Sequence, residues 1–243
     1  PTVPQGFASV ASVLAGVGVV GIIWGGLACL VERDLKRLIA YSSVAHMGFV
    51  ALALASGTET GVQAALFANI AHGIVSALLF FLVGALKDRW LTADLDTLPG
   101  ALRETSPRFG FAFVVGFAGA LGLPGLVGFW GEFLAVYAAW NPMSGRPVGF
   151  FQACAVVAVI GMTIAASYSL RVLRVIWAGE STEPGRGDAR GLEWAVVATL
   201  IVAVIGAGVL PRPLLAVTAA DVTTLVSGST AAAAGGTAAK ATP

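Results

Sequence analysis

Charge is what this chain lacks most. Asp, Glu, Lys and Arg make up only 11% of its 243 residues, hydrophobic residues make up 57%, and mean hydropathy is +0.88. A soluble globular chain carries roughly 25% charged residues, so that class is excluded. Cysteine is almost as scarce. Cys29 and Cys154 are the only two, each in or at the edge of an apolar run. That number and placement exclude a disulfide framework and a Cys-rich metal site, and no metal is expected. A net charge of +1 offers nothing to draw nucleic acid. The chain begins at Pro1, with neither an initiator Met nor a signal peptide, and is read as a piece of something longer.

What is present is long apolar stretches separated by charge clusters at 31–37, 87–108 and 171–193. This is the pattern of an all-α, multi-pass integral membrane protein. The runs predict six transmembrane helices at about 7–30, 38–55, 62–86, 109–140, 148–178 and 192–210 within a bundle over 1–225. β-Barrel spans would be short and alternating. The segment SGSTAAAAGGTAAKATP and its flank, 226–243, are low-complexity and expected to be disordered.

Arginine and lysine set the orientation. The odd-numbered turns hold eleven of the fourteen: Arg33, Lys36, Arg37, Lys87, Arg89, Arg103, Arg108, Arg171, Arg174, Arg186 and Arg190. The positive-inside rule then puts those turns in the cytoplasm and both chain ends on the non-cytoplasmic side.

Two motifs mislead. GVGVVG at 16–21 matches the dinucleotide fingerprint G-x-G-x-x-G, but it sits inside an apolar span with no preceding strand and no acidic ribose partner. Gly21 and Gly25, a G-x-x-x-G pair, are read instead as a close helix–helix contact. Arg171 and Arg174 beside Trp177 are read as snorkelling anchors rather than a voltage sensor.

Three ionisable groups remain at membrane depth: His46, His72 and Glu132. Such groups are costly in lipid and functional by default. Ser42 and Ser43 precede His46 by four and three residues, so they share its helical face. Asn69, His72 and Ser76 repeat the arrangement on the third span. Two polar stripes, each centred on an imidazole able to take a proton on one nitrogen and release one from the other, would line a hydrated interior. The alternative is plain helix–helix hydrogen bonding, worth about 0.6 kcal/mol per bond in membranes.

Glu132 closes the run GFAGALGLPGLVGFWGEF, in which glycine recurs at 116, 119, 122, 125, 128 and 131. Collagen needs many more repeats and prolines. The span at 109–140 would be about 48 Å long if wholly helical, too long for a straight crossing. Pro124 lacks an N–H and clashes with the carbonyl of Ala120, and Gly122 and Gly125 tolerate non-helical dihedrals. A discontinuity at about 121–126 is therefore predicted, of the type that recurs at transporter ion sites. Glu132 falls two turns beyond it, about 12 Å from the interface anchor Trp140. It is the candidate proton carrier, unless one fixed partner neutralises it.

DLKRLIAYSSVAHMGFV at 34–50, ANIAHGIVSALLFFLVGAL at 68–86 and LGLPGLVGFWGEFL at 121–134 resemble the antiporter-like membrane subunits of proton-pumping NADH:quinone oxidoreductase, respiratory complex I. The resemblance covers essentially residues 1–225 and is greatest to the M-type members, because related subunits tend to carry lysine where Glu132 stands. It implies that the six spans are the ninth to fourteenth helices of a fourteen-helix subunit. Glu132 would be the terminal proton-channel carboxylate beside the broken twelfth helix, and His46 and His72 members of the central hydrated axis. The family's amino-terminal half carries a membrane glutamate and two lysines with no counterpart here, so the chain is expected to be the carboxy-terminal half, inactive alone.

The implied function is proton translocation as part of a translocase in the bacterial inner (plasma) membrane, with other complex I membrane subunits, related antiporter-like subunits and the lipid bilayer as partners. No flavin, iron–sulfur or quinone ligand set is visible, and no cofactor is expected on this chain. Two alternatives stay open: a subunit of a multi-subunit Na⁺/H⁺ antiporter or membrane-bound hydrogenase, and a non-conducting scaffold.

Overall fold

The computed structural model describes residues 4–217 except 99 and 181–186, together with 219, 222–224 and 226. The expected disordered tail from 226 and Arg186 fall outside the described residues, residue 226 apart. The chain forms α1 (Pro4–Val31), α2 (Leu35–Ala55), α3 (Glu59–Trp90), α4 (Leu102–Thr105), α5 (Pro107–Ala120), α6 (Val127–Trp140), α7 (Val148–Ile176) and α8 (Gly191–Val209).

Among the described residues five helices are long and apolar enough to cross a membrane: Val10–Val31, Leu35–Ala55, Glu59–Trp90, Val148–Ile176 and Gly191–Val209. The run at 109–140, expected as one span interrupted at about 121–126, forms two helices, α5 and α6, of 14 residues each. Each is about 21 Å long and falls short of the roughly 30 Å hydrocarbon core.

The starts of α2 and α3 follow from capping. Asp34 Oδ1 accepts from the Arg37 N–H at 2.9 Å, and Thr58 Oγ1 accepts from the Gly61 N–H at 3.0 Å. Each cap satisfies a donor that the first turn leaves without an intrahelical acceptor. Gly57, at φ +74°, turns the chain between α2 and α3.

Helices α1 and α2 touch backbone to backbone. A Cβ on Gly25 would lie 2.8 Å from the Ala45 nitrogen and the Tyr41 carbonyl, and one on Gly18 would lie 2.8 Å from the Gly48 carbonyl. A Cβ on Gly21 would meet nothing nearer than 3.7 Å. The close-approach pair is thus Gly18 and Gly25, two turns apart, and not the G-x-x-x-G pair Gly21 and Gly25. GVGVVG lies wholly within α1, with no strand before it among the described residues.

The arginine-rich face is cross-tied. The Leu35 N–H donates to Ala93 O at 2.8 Å and the Leu95 N–H to Arg33 O at 2.9 Å. Arg89 makes a two-pronged pair with Glu193 at 3.0 and 2.7 Å, joining the end of α3 to the start of α8. Its guanidinium also sits 4.5 Å from the Phe109 ring centroid. Asp188 accepts from the N–H groups of Arg108 and Phe109 at 3.0 and 3.2 Å, capping α5 from a distant loop.

Arg171 does not snorkel outward. Its guanidinium donates to the carbonyls of Cys29 and Glu32 at 2.9 and 2.6 Å. Those carbonyls belong to the end of α1, where acceptors run out of helical donors. Arg171 therefore caps α1 from α7, whereas Arg174 stays exposed.

Two apolar clusters fill the bundle. One, towards the arginine-rich face, includes Leu38, Leu82, Phe109, Phe113 and Val172. The other, towards the opposite end, includes Phe49, Ala64, Ala139 and Phe151. The candidate site lies where they meet.

Candidate functional site

The end of α5 is built from its own sequence. Leu121 is the cap and Gly122 follows at φ +73°. The Leu123 N–H donates to Ala118 O at 3.2 Å and the Gly122 N–H to Gly119 O at 3.3 Å. These are the two bonds of a Schellman stop, in which glycine takes the left-handed position. Pro124 comes next and has no N–H with which to continue a helix. Gly125 turns again at φ +91°, and extended Leu126 opens α6. The Trp130 indole N–H donates to Gly208 O at 2.8 Å, fixing the first turn of α6 to the end of α8.

Glycine then lets α6 seat deeply. A Cβ on Gly131 would lie 2.7 Å from the Ala68 Cβ, so only glycine allows α6 this close to α3 at that point. The next residue, Glu132, is carried between α2 and α3 and is 5% exposed.

There it meets His46. The imidazole Nδ1 lies 2.9 Å from Glu132 Oε1. The His46 and His72 rings stand 5.4 Å apart between centroids, inclined at 43°. His72 Nε2 lies 3.1 Å from Ser76 Oγ. Glu132, His46 and His72 border a cavity, lined also by Phe49, Ala71 and Val75, with room for a water molecule. Glu132, His46, His72 and Ser76 therefore form one polar line across α6, α2 and α3.

Glu132 Oε2 is buried without a hydrogen-bond partner among the described residues. It points at Gly122, where a Cβ would stand 2.6 Å from it. The glycine that ends α5 is thus also the space into which the carboxyl fits.

The remaining polar candidates are placed differently. Ser42 and Ser43 both donate to Ile39 O, at 2.8 and 3.1 Å, and Asn69 donates to Ala65 O at 3.1 Å. Each bond stays within its own helix. Asn69 is exposed on α3, and Ser42 is buried. Sequence reasoning passed over Tyr168 on α7, which is fully buried. Its position three residues before Arg171 was the available signal, since i and i+3 share a helix face. Among the described residues no group of three or more His, Cys, Asp or Glu converges as a metal site.

Residues 6–170 match the family described as NADH:quinone oxidoreductase/Mrp antiporter, transmembrane. The chain belongs to this family. Among relatives of this antiporter-like family, NAD(P)H-quinone oxidoreductase chain 4 of a Synechococcus species is 39% identical over 221 residues, which are 88% of this chain and 41% of that one. The corresponding chain of Prochlorococcus marinus is 36% identical over 214 residues, 86% of this chain and 38% of that one. The chain thus spans about two fifths of the length of these relatives. In structure it is similar to a chain of respiratory complex I from Thermus thermophilus, with a TM-score of 0.81 and 27% identity over 92% of this chain and 46% of that one. A chain of the Mrp complex from a Dietzia species shares the fold, with a TM-score of 0.81 and 21% identity over 90% of this chain and 48% of that one. The chain is accordingly an antiporter-like, multi-pass membrane protein of apolar helices.

Proposed function

We propose that this chain carries a proton-transfer site of a proton-pumping NADH:quinone oxidoreductase, with Glu132 and His46 as the pair that holds and passes the proton. The observation that carries this reading is the 2.9 Å contact between His46 Nδ1 and Glu132 Oε1 inside the bundle. One proton can reside on either partner, as carboxylic acid with neutral imidazole or as carboxylate with imidazolium. His46 keeps a second ring nitrogen for exchange, and His72 with Ser76 extends the line along α3. On this reading α5 and α6 together make one interrupted crossing, the fourth of six in the bundle. The arginine-rich turns face the cytoplasm of a bacterial inner membrane, and both chain ends lie on the opposite side. Glu132 supplies the outward half of the channel. The redox chemistry belongs to other subunits of the assembly.

Similarity to a quinone oxidoreductase chain at 39% identity favours this assembly over a cation antiporter. The shared fold with an Mrp chain keeps the antiporter as the second reading. A non-conducting scaffold would leave a buried carboxyl and two imidazoles without a use.

The test is Glu132→Gln in the assembled complex, which keeps shape and removes the exchangeable proton. Proton pumping and coupled quinone reduction are expected to fall about 100-fold. Both unchanged, with the complex intact, would overturn the reading.

A further inference from the structure

The first turn of α6 begins inside the bundle without a cap of its own. Leu126 stands at the N-cap position and makes no side-chain hydrogen bond to that turn. The linker before it contains Gly122 at φ +73° and Gly125 at φ +91°, residues that tolerate many backbone conformations. A helix of 14 residues that starts on such a linker is free to turn about its own axis unless another element holds its start.

Helix α8 supplies the hold. The Trp130 indole N–H donates to Gly208 O at 2.8 Å. Gly208 lies in the last turn of α8, where carbonyls run out of helical donors. Trp130 packs against the apolar cluster, where an indole N–H needs an acceptor. Each group meets the other's need. The backbones also touch here, since a Cβ on Gly208 would collide with the Leu126 backbone and the Gly125 carbonyl. Gly208 is itself a fixed point, because Glu193 ties the start of α8 to Arg89 of α3 at 3.0 and 2.7 Å.

Trp130 and Glu132 are two residues apart, about 200° around the helix. A tie on one side of α6 therefore aims the carboxyl on the other. Side-chain tips lie about 5–6 Å from a helix axis, so a turn of about 20° carries the carboxyl about 2 Å. That is enough to break the 2.9 Å contact between Glu132 Oε1 and His46 Nδ1. Gly131, between the two, has no side chain to key the rotation. Its close approach to Ala68 sets only how near α6 comes to α3.

We propose that Trp130 is a positioning residue for proton transfer: its bond to Gly208 sets the rotation of α6 and so keeps Glu132 in line with His46. This rests on the proton-transfer reading of the His46–Glu132 pair. Trp130 carries no proton in the transfer. An apolar ring without the N–H would fill the same place beside α8 and leave the angle of α6 unfixed.

The experiment uses the assembled complex, with Trp130→Phe, Gly208→Ala, Gly206→Ala and Glu132→Gln made separately. Each is read by its pumping rate and by the infrared band of the protonated Glu132 carboxyl. Trp130→Phe keeps an aromatic ring and removes the N–H. Pumping is expected to fall about tenfold, because a small misplacement of a reacting group is costly. The carboxyl band should move to higher wavenumber, as it does when a carboxyl's hydrogen bond weakens. Gly208→Ala keeps the indole but displaces the linker, and should move the band the same way. Gly206→Ala, with open space around its Cβ, should leave pumping and band at their wild-type values. Wild-type pumping and an unmoved band in Trp130→Phe, beside a defective Glu132→Gln, would overturn the positioning role and leave the pair's role standing. A harmless Glu132→Gln would overturn both. Lost pumping with the band unmoved, or failure of Trp130→Phe to assemble, would mark the bond as structural and also overturn the positioning role.

Discussion

His46 Nδ1 and Glu132 Oε1 lie 2.9 Å apart, although 86 residues separate them in the chain. The contact depends on three local features acting together. Gly122 ends α5 and leaves space for the carboxyl, Gly131 lets α6 approach α3, and α2 carries His46 into the same gap. Replacing His46 should therefore expose two separable effects. His46→Gln keeps a donor for Glu132 and should assemble normally while proton transfer fails. His46→Ala leaves a buried acceptor unpaired and should also lower stability, by about 1–3 kcal/mol. Thermal unfolding of the purified complex, read beside its pumping rate, distinguishes the two.

Gly122 should tolerate no side chain. Gly122→Ala places a Cβ at φ +73° and 2.6 Å from Glu132 Oε2. The left-handed conformation alone costs roughly 1–2 kcal/mol for an L-residue. The displaced carboxyl should also lower proton transfer well beyond what that strain explains. Gly125→Ala, with open space around its Cβ, should show the stability loss with a much smaller transfer defect. Comparing stability and pumping in the two variants checks this.

Arg171 should matter for assembly of the bundle. Arg171→Met keeps the apolar stem and removes the donors to Cys29 O and Glu32 O. Charge-assisted hydrogen bonds of this type are worth about 1.5–3 kcal/mol each in a folded chain. The expected result is early fraying of the α1 end, seen as faster amide exchange after Cys29. Arg174→Met, at an exposed position, should leave that exchange unchanged.

The fold was legible wherever local chemistry dictates it. Apolar runs bounded by charge marked the long helices, and the residues that stop α5, Gly122 and Pro124, could be read directly. What the sequence could not reveal was register and reach. Gly21 looked like a contact glycine by spacing, yet the crossing of α1 over α2 falls at Gly18 and Gly25, because helix rotation is set by packing. Arg171 looked like a surface anchor because its neighbour Arg174 is one. Only the approach of α1 to α7 shows that one arginine turns inward and the other outward. Ser42, Ser43 and Asn69 shared helical faces with the histidines, but sharing a face did not predict that each would bond to its own backbone. The partner of Glu132 and the burial of Tyr168 depend on contacts between distant segments, which one helical period cannot encode.

The central claim, that the Glu132 carboxyl gains and loses a proton against His46, is tested most directly by infrared difference spectroscopy of the assembled complex at rest and in turnover. The account predicts a protonated-carboxyl stretching band that changes with turnover, disappears in Glu132→Gln and moves in His46→Gln. A turnover spectrum whose carboxyl bands are all unaffected by Glu132→Gln would contradict it.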